Sequence, residues 1–594
     1  MSLHRSLETY FDYKFGNSPI TSNMVEVKGP GHTGPVSKLD IVHPGRTTSE
    51  YYMLASYLGR LEAEQGRLML LELTKLQVLD EKSPQYGAMR WYREETQVGD
   101  TNAVFFILFP LAVLRLQAPE AIPASHLILM DGLMSASIRW FSHELEHPIL
   151  YYSNKILNDG ALLLALSKLQ GDEQGIQNAI RFFERWCTYT EERGWGWGEN
   201  ISVVYSLIIV NALRLASLLL ANINPQLGTR LEGFIQQVFS NLRFHGKGEL
   251  VPTIRSYNFQ GKGDYPSVLW SISGNADIHE EVQDEQNMDA WATHNAPSFL
   301  LFEHELNQTK QHELGKQEMR VERLFDHAYA TTWIGHRGRI GSINRFPVIK
   351  GCYQYPRWGL GWQSFPYSFR VGDEKLGFLR WRVEDGQVTR THPAQNKNSA
   401  YLSPALFQES YFPDIQSRAE QSGPFLCIVR WMHGLHHKAD VISDEWVISH
   451  PYDEVTSYEV NGRQWIAVFF DGCAITFTAL QGIRASSSLR EQVTLTSIDK
   501  GDRTLISQLL YQDEEHSEQE LCIQPGLESG WVVKWWDDVD SAQELKTQLE
   551  AIQISDETLF DDEVPREPHL SLRRIDIQDQ GKHVLTMDID PYLT

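Results

Sequence analysis

The feature that most constrains this 594-residue chain is a change in its hydrophobic period near residue 330. Before that point, apolar residues recur at the three- and four-residue spacing of amphipathic helices. The segments with this pattern are 51–80, 101–118, 125–145, 153–170, 174–192, 200–222, 226–243 and 282–306. Short loops rich in Pro and Gly separate them, so consecutive helices should be antiparallel neighbours. Stacked helix pairs that close into an α/α toroid, an incomplete barrel of paired helices, are the most economical arrangement.

After residue 330 the hydrophobic period becomes two, which is typical of half-buried strands. The strand-like segments are 364–371, 376–384, 425–431, 445–450, 465–470, 473–479, 493–497, 531–536 and 569–577. Because no helices intervene, the strands should pair antiparallel and form a sandwich or stacked sheets. One interruption is the acidic stretch 537–563, in which SAQELKTQLEAIQ predicts a short surface helix.

The predicted fold class is therefore α+β and multidomain. We expect an N-terminal extension over 1–47, an α/α toroid carrying the catalytic residues over 48–330, and an antiparallel β-sheet domain over 331–594. The crossover from helix to strand should lie between Leu324 and Ile340.

Charge and composition exclude several function classes. The formal net charge of −24 argues against a nucleic-acid partner and against binding to an anionic membrane. A polyanionic substrate would need a cleft that concentrates Arg, Lys and His locally. The five cysteines are far apart and form no CxxC pair, so neither a disulfide framework nor a cysteine zinc site is indicated. Without a visible signal peptide or a run of 18 apolar residues, we expect a cytoplasmic protein, or a secreted or periplasmic one if a leader was removed.

The first candidate site segment is RGWGWGEN, residues 193–200, directly before an apolar helix. Its alternating glycines allow close approach of backbone or ligand. Trp195 and Trp197 are predicted to project from the loop as stacking platforms for sugar rings. Glu199 and Asn200 would lie at the positive end of the helix and face substrate oxygens. Alternatively, Asn200 is simply an N-cap and the indoles are packing residues.

The second candidate segment is the long loop 246–265, which contains Arg255, Tyr257 and Tyr265. Long ordered loops between helices often carry functional residues. A tyrosine can act as a general base when a nearby cation lowers its pKa, and Arg255 is close in sequence to Tyr257. An ordinary packed loop is the alternative.

A third segment places Asn154 and Asn158 four residues apart, on one face of a helix. Buried amides are costly without partners, which favours positions that face a cavity and bind substrate. A structural or capping role is the alternative.

In layout and motifs the chain resembles the toroid polysaccharide lyases, which include chondroitin, hyaluronate and xanthan lyases and the heparinase and alginate lyase group. The resemblance covers residues 150–594 in layout. GEN at 198–200 resembles the Gly-x-Asn segment of the asparagine that neutralises a uronate carboxylate. GELVPTIRSYNFQGKGDYP resembles the segment with a catalytic tyrosine, and HRGRIGSINR at 336–345, with His336 and Arg339, resembles the arginine-rich start of the β-domain.

The chain also departs from the family pattern. Thr253 stands where the family has a histidine, and Ile201 follows Asn200 where the alginate and heparinase types have one. The cations that could replace it are His245, His294, His336 and Arg255. His436-His437 could bind a metal, but no carboxylate or thiol stands at ligand spacing.

The resemblance implies β-elimination on a uronate-containing glycan without a cofactor. Asn200 would bind the carboxylate, Tyr257 or Tyr265 would move the proton, and Arg255 or His294 would supply positive charge. Trp195, Trp197, Glu199, Asn154, Asn158, His336 and Arg339 would contact the substrate.

Two alternatives stay open. The first is a glycoside hydrolase with a carboxylate pair, for which the candidates are Glu199, Asp159, Asp264 and Asp289. The second is a carbohydrate-binding protein without activity. The expected partner is a carbohydrate in each case, and an acidic glycan for the lyase, while the sequence does not reveal the sugar or the oligomeric state.

Overall fold

The structure is a computed structural model that describes residues 3–256, 267–283, 296–306, 317–345, 364–372, 375–384, 414–433, 436–437, 440–485, 487, 489–513, 521–522, 526–539, 541–559 and 571–590. The chain divides into two compact units. The helical unit comprises Met1–Lys247 and Asp264–Glu313. The β unit comprises Gly248–Gly263 and Leu314–Thr594.

The helical unit is built from helices numbered here in chain order. They are α1 Leu3–Phe15, α2 Gly45–Tyr57, α3 Ala63–Leu76, α4 Ala103–Gln117, α5 Ala124–Glu144, α6 Ser153–Gln170, α7 Glu173–Arg193, α8 Val203–Leu220, α9 Pro225–His245, α10 Ser267–Ser273, α11 Ile278–Glu281, α12 Ala296–Leu301 and α13 Glu303–Leu306. Two short strand pairs accompany them, Ile20–Thr21 with Met24–Val25 and Val27–Lys28 with Ile41–Val42.

The contacts between helices define two layers. In the inner layer α2 packs on α4, α4 on α6 and α6 on α8, and α12 contacts α2, α4 and α8 and so closes the ring. In the outer layer α3 packs on α5, α5 on α7 and α7 on α9. Each outer helix also packs on its inner neighbour in sequence. This is the predicted α/α toroid, which is therefore confirmed.

The sequences of the helices explain their layers. The outer helix α7 has polar residues on one side and buried apolar residues on the other, and its N-cap Asp172 accepts a hydrogen bond from the Gly175 amide. The inner helix α8 is apolar on almost all sides, with a mean hydropathy of 2.1. By length and composition α8 could cross a membrane, but 72% of it is buried inside the protein. A helix that is apolar all round is typical of a core, and α8 occupies that place in the ring.

The β unit contains three antiparallel sheets. The eight-stranded sheet has, in spatial order, Leu495–Asp499, Arg503–Gln512, Val441–Ser449, Lys375–Glu384, Tyr367–Val371, Gly338–Ile343, Ala328–Ile334 and Glu318–Phe325. The six-stranded sheet has Asp414–Ser422, Phe425–His433, Leu527–Trp536, Cys473–Ala479, Arg463–Phe470 and Glu454–Val460. The three-stranded sheet has Ile552–Leu559, Leu572–Asp579 and Lys582–Ile589. Short pairs join Thr253–Ile254 to Ser364–Phe365, His436–His437 to Leu521–Cys522, and Gln481–Gly482 to Glu491–Gln492.

Two apolar cores hold these sheets together in three layers. Alternate residues of strand Phe425–His433 enter different cores: Ile428 packs between the eight- and six-stranded sheets, whereas Cys427 packs towards the three-stranded sheet. A strand in a middle layer is buried on both faces, which explains its nearly continuous apolar sequence. The expected antiparallel stacking of sheets is confirmed. A last helix, α14 Ala542–Glu550, lies within SAQELKTQLEAIQ as predicted and buries Leu545 and Leu549 in the second core.

The boundaries differ from the sequence-based expectation. The first strand of the large sheet begins at Glu318, before the predicted crossover. Segment 248–263 groups with the β unit, because its strand Thr253–Ile254 pairs with Ser364–Phe365. Residues 1–47 group with the helical unit, where α1 packs on α2. Apart from Thr253–Ile254, no strand occurs in the described part of 50–300.

Candidate functional site

The glycine-rich loop before α8 is shaped by contact with the start of α6. Gly194, Gly196 and Gly198 all have positive φ, at 99°, 65° and 70°. A Cβ on Gly196 would lie only 2.5 Å from the Cβ and the carbonyl oxygen of Tyr151. The Trp197 amide donates to that carbonyl at 3.1 Å. The alternating glycines therefore serve a close approach between two backbones.

Trp195 and Trp197 do not project from the loop, contrary to the prediction. Each is only 5% exposed. The Trp195 ring packs edge-on against Trp186 and Phe234, with centroids 5.7 and 5.5 Å away. The Trp197 ring lies 4.2 Å from the ring of Tyr152. Because both indoles are buried against protein rings, neither offers a free platform for a sugar.

Glu199 connects the loop to α6. Its side chain is fully buried, and its carboxylate accepts hydrogen bonds from the Asn154 backbone amide at 2.7 Å and from the Asn154 side-chain amide. A carboxylate that accepts backbone N–H groups at a helix start satisfies donors that the helix leaves open. Asn158 Nδ2 donates to the Asn154 carbonyl at 2.7 Å. Glu199 and Asn154 are thus structural partners that fix the loop on the helix.

Asn200 lies in a single 3₁₀ turn, Glu199–Ile201, immediately before α8. It is not the N-cap of α8, because Ser202 holds that position and accepts from the Tyr205 amide at 3.3 Å. The Asn200 side chain is 4% exposed. Its position at the positive end of an inner helix agrees with the prediction, although the capping alternative is wrong.

The C-terminal end of α9 lies beside this turn. The helices α8 and α9 are antiparallel neighbours, and α9 contacts the turn that contains Asn200. Asn241 and His245 are one helical turn apart near the end of α9, and both are buried, at 1% and 2% exposure. Among the described residues, neither polar atom of the Asn241 side chain has a hydrogen-bond partner. Among the described cations proposed to replace the family histidine, which are His245, His336 and Arg255, His245 belongs to the helical unit and lies at the same end of it as Asn200.

Asn241 was missed in the sequence. It stands on an amphipathic helix without any flanking motif, so only its burial without a partner singles it out.

A small cavity lies inside the ring of inner helices. It is lined by Glu50, Phe105, Phe106, Phe109, Pro110, Asn158, Ile208, Asn211 and Pro297. Its space for water-sized molecules is about 30 Å³, which is room for one or two waters. Asn158 lines this cavity, whereas Asn154 is not among its lining residues, and the cavity is too small for a sugar ring.

Of the carboxylates expected for a hydrolase, the two that the structure describes are bound by other side chains. Asp159 is fully buried and accepts from Lys155 Nζ at 2.5 Å, and the same ammonium group also contacts Glu144. Burial raises the pKa of Asp159 to about 6, against the effect of Lys155. Glu199 is engaged by Asn154, as described above. Asp264 and Asp289 lie outside the described residues.

In the β unit, the segment before Arg255 packs on the outer face of the large sheet. Gly341 leaves room for it, since a Cβ there would lie 2.5 Å from Pro252. Thr332 Oγ1 donates to the Val251 carbonyl at 2.6 Å. Arg255 is 7% exposed with φ at 54°, and its amide donates to Ser364 Oγ at 3.4 Å.

Arg339 and Arg370 lie side by side on this outer face. They are directly opposite each other on adjacent strands, so their side chains share one side of the sheet. Arg370 Nη1 donates to the Glu249 carbonyl at 2.9 Å. Arg339 is 8% exposed, its buried Nε has no hydrogen-bond partner, and no carboxylate lies within 4.0 Å of its guanidinium among the residues that the structure describes.

Further arginines stand on the same face. On the four central strands, the charged side chains described on this side are Arg339, Arg370, Arg380, Arg382 and Glu445. Arg380 donates to Glu445 at 3.0 and 2.8 Å. Burial lowers the pKa of Arg380 to about 9, so the side chain stays charged at neutral pH. The face therefore concentrates positive charge in a chain whose net charge is −24.

Of the remaining predicted residues, only His336 is described. His336 lies in the β unit, exposed in a hairpin turn, where its amide donates to Asp537 Oδ2 at 2.8 Å. Tyr257, Tyr265 and His294 lie outside the described residues. Among described residues, no group of three His, Cys, Asp or Glu side chains could hold a metal ion.

Comparison with known proteins gives structural likeness only. No family model and no curated protein sequence matches the chain. Similar solved structures include heparinase III, with 11% identity over 92% of this chain and 82% of that one, at a TM-score of 0.45. Another is the chondroitin AC lyase of Streptomyces coelicolor A3 in complex with chondroitin sulphate, with 10% identity over 98% and 85% of the two chains and a TM-score of 0.44.

A third is a Paenibacillus xanthan lyase, with 11% identity over 97% of this chain and a TM-score of 0.46. This chain spans 60% of the xanthan lyase chain. All three are of the types that make up the toroid polysaccharide lyases, the group that the sequence resembles. At these identities and TM-scores the likeness does not identify a substrate or a mechanism.

Proposed function

We propose that the protein is a polysaccharide lyase that cleaves a uronate-containing glycan by β-elimination. The observation that carries the proposal is the concentration of buried arginines on the outer face of the large sheet, and above all Arg339. A buried guanidinium without a carboxylate partner is costly, and an anionic ligand would offset that cost. An acidic glycan supplies such an anion in every uronate residue. A neutral glycan would leave Arg339 uncompensated.

The helical unit supports the same proposal independently through Asn200. In β-elimination a base removes the proton from C5, the electron pair forms the C4–C5 double bond, and the glycosidic oxygen on C4 leaves with a proton. Negative charge builds up on the uronate carboxylate while C5 loses its proton. The side-chain amide of Asn200, held by the turn before α8, would donate a hydrogen bond to that charge.

The proton would be moved by a loop tyrosine, for which Tyr257 and Tyr265 remain the candidates. His245 is the proposed cation, because it lies at the same end of the helical unit as Asn200. A positive charge near a tyrosine favours the phenolate and so prepares it to act as a base.

The test is turnover of the Asn200→Ala variant on a panel of uronate-containing oligosaccharides, followed by the ultraviolet absorbance of the unsaturated product. A preorganised donor at developing charge commonly contributes about 2.7–4 kcal/mol, so turnover should fall by about a hundredfold or more. The matched control is Ser202→Ala. Loss of that N-cap should lower stability by about 1 kcal/mol and leave turnover within a few fold.

Two further variants assign the base. Tyr257→Phe and Tyr265→Phe should differ, with the variant at the true base losing more activity than Asn200→Ala. Normal rates in Asn200→Ala and in both tyrosine variants would eliminate this mechanism. A product without ultraviolet absorbance would indicate hydrolysis instead.

A further inference from the structure

A second pocket lies on the outer layer of the helical unit, apart from the inner cavity. It is formed where the C-terminal end of α5 and the loop after it meet the middle of α7. Its lining residues are Ser142, Leu145, Glu146, Pro148, Asn178, Arg181, Phe182 and Arg185. The pocket has room for about 300 Å³, at the lower end of the range for small-ligand sites of roughly 300–1,000 Å³.

The two arginines of this pocket form no ion pair with a carboxylate in the described part of the chain. Arg181 and Arg185 are exposed and one turn apart on α7, so they face the same side. Neither guanidinium has a carboxylate within 4.0 Å in the described part of the chain, whereas the partly buried Arg230 on α9 pairs with Glu191 at 2.8 Å. Like charges at this spacing repel each other, and an anion between them would relieve the repulsion.

The other groups of the pocket can contact the hydroxyl groups and the apolar face of a sugar. Asn178 Oδ1 accepts a hydrogen bond from Arg181 and so orients its guanidinium. The hydroxyl of Ser142 and the carboxylate of Glu146 can bind sugar hydroxyls. Phe182, which is 3% exposed, contributes an apolar wall. A small inorganic anion would use the arginines alone and would leave Ser142 and Phe182 without a contact.

We propose that this pocket binds one uronate residue of an acidic glycan, with Arg181 and Arg185 on its carboxylate. The proposal rests on the proposed function in taking an acidic glycan as the ligand. The loop of the pocket runs directly into Tyr151 and the start of α6, so the pocket lies at the same end of the helical unit as Asn200. A glycan bound near Asn200 could therefore extend towards the pocket, which would act as a distal subsite.

The experiment measures binding rather than turnover. A glucuronate-containing tetrasaccharide is titrated by calorimetry into the wild-type protein and into the double variant Arg181→Gln/Arg185→Gln. The variant should lose at least tenfold in affinity for the tetrasaccharide, because both charges that face the carboxylate are gone. The matched control is Arg230→Gln, which removes a partly buried arginine from a neighbouring outer helix, and this variant should bind as the wild type does.

The outcomes separate this proposal from the proposed function. Three results would each overturn the proposal that this pocket binds a uronate residue. They are an unchanged affinity in the double variant, an equal loss of affinity in Arg230→Gln, and inorganic sulfate binding as tightly as the tetrasaccharide. The proposed function fails on a different readout, the absence of unsaturated product. If cleavage occurs, the double variant should show a raised KM for polymer and an unchanged kcat, while Asn200→Ala should mainly lower kcat.

Discussion

Replacing Gly196 by alanine should disrupt the contact that fixes the candidate loop. The residue has φ at 65°, and a Cβ would lie 2.5 Å from the Cβ and the carbonyl oxygen of Tyr151. A left-handed conformation costs a residue with a side chain about 1–2 kcal/mol. The steric overlap adds about 1–3 kcal/mol, as in other overpacked sites. We therefore expect Gly196→Ala to lower the free energy of unfolding of the helical unit by about 2–5 kcal/mol.

The matched control is Gly171→Ala, at the C-terminal end of α6. Gly171 has φ at 70°, but a Cβ there would meet no atom within 4 Å. This variant should lose only the conformational part, about 1–2 kcal/mol. The difference between the two variants therefore measures the steric contact with Tyr151.

Urea unfolding followed by helical circular dichroism gives both values, with tryptophan fluorescence as a second probe. Trp195 and Trp197 flank the substituted residue, so their emission should shift in Gly196→Ala even before unfolding. Equal losses in the two variants, within about 0.5 kcal/mol, would refute the view that backbone approach to Tyr151 determines this loop.

Two further predictions concern buried charges. Because the pKa of Asp159 is about 6 when folded and lower when unfolded, the folded protein binds more protons between those values. This group should therefore make the free energy of unfolding fall as pH rises from about 4 to 6 and stay level above. In Asp159→Asn this contribution to the pH dependence should vanish. An unchanged pH profile in the variant would contradict the raised pKa of Asp159. Arg430→Met should cost about 3–5 kcal/mol, because it leaves Asp444 charged and fully buried. Adding Asp444→Leu should recover part of that loss in urea unfolding, and no recovery would show that the charge is not the cause.

The sequence by itself determined the two kinds of secondary structure and their order. Apolar spacing depends on local geometry, because a helix and a strand present side chains with periods of 3.6 and 2. The α/α toroid followed by antiparallel sheets could therefore be predicted. The position of Asn200 before an apolar helix was also a local signal, readable from GEN and the helix that follows.

Whether the loop side chains project or are buried depends on tertiary contacts. Alternating glycines permit a projecting loop as well as a packed one, and the partner that decides, Tyr151, lies far earlier in the chain. Glu199 is likewise held by Asn154, 45 residues before it. Nothing in the eight-residue motif itself indicates either contact, so the burial of Trp195 and Trp197 could not be predicted.

The arginine face and the boundary of the β unit also could not be predicted from the sequence. Arg339 and Arg370 become neighbours only through strand register, which pairs them directly. Arg255 joins the β unit through contacts such as its hydrogen bond to Ser364, 109 residues away. Local periodicity carries no information about such pairings, because they depend on which surfaces remain to be buried once the helices and sheets have formed.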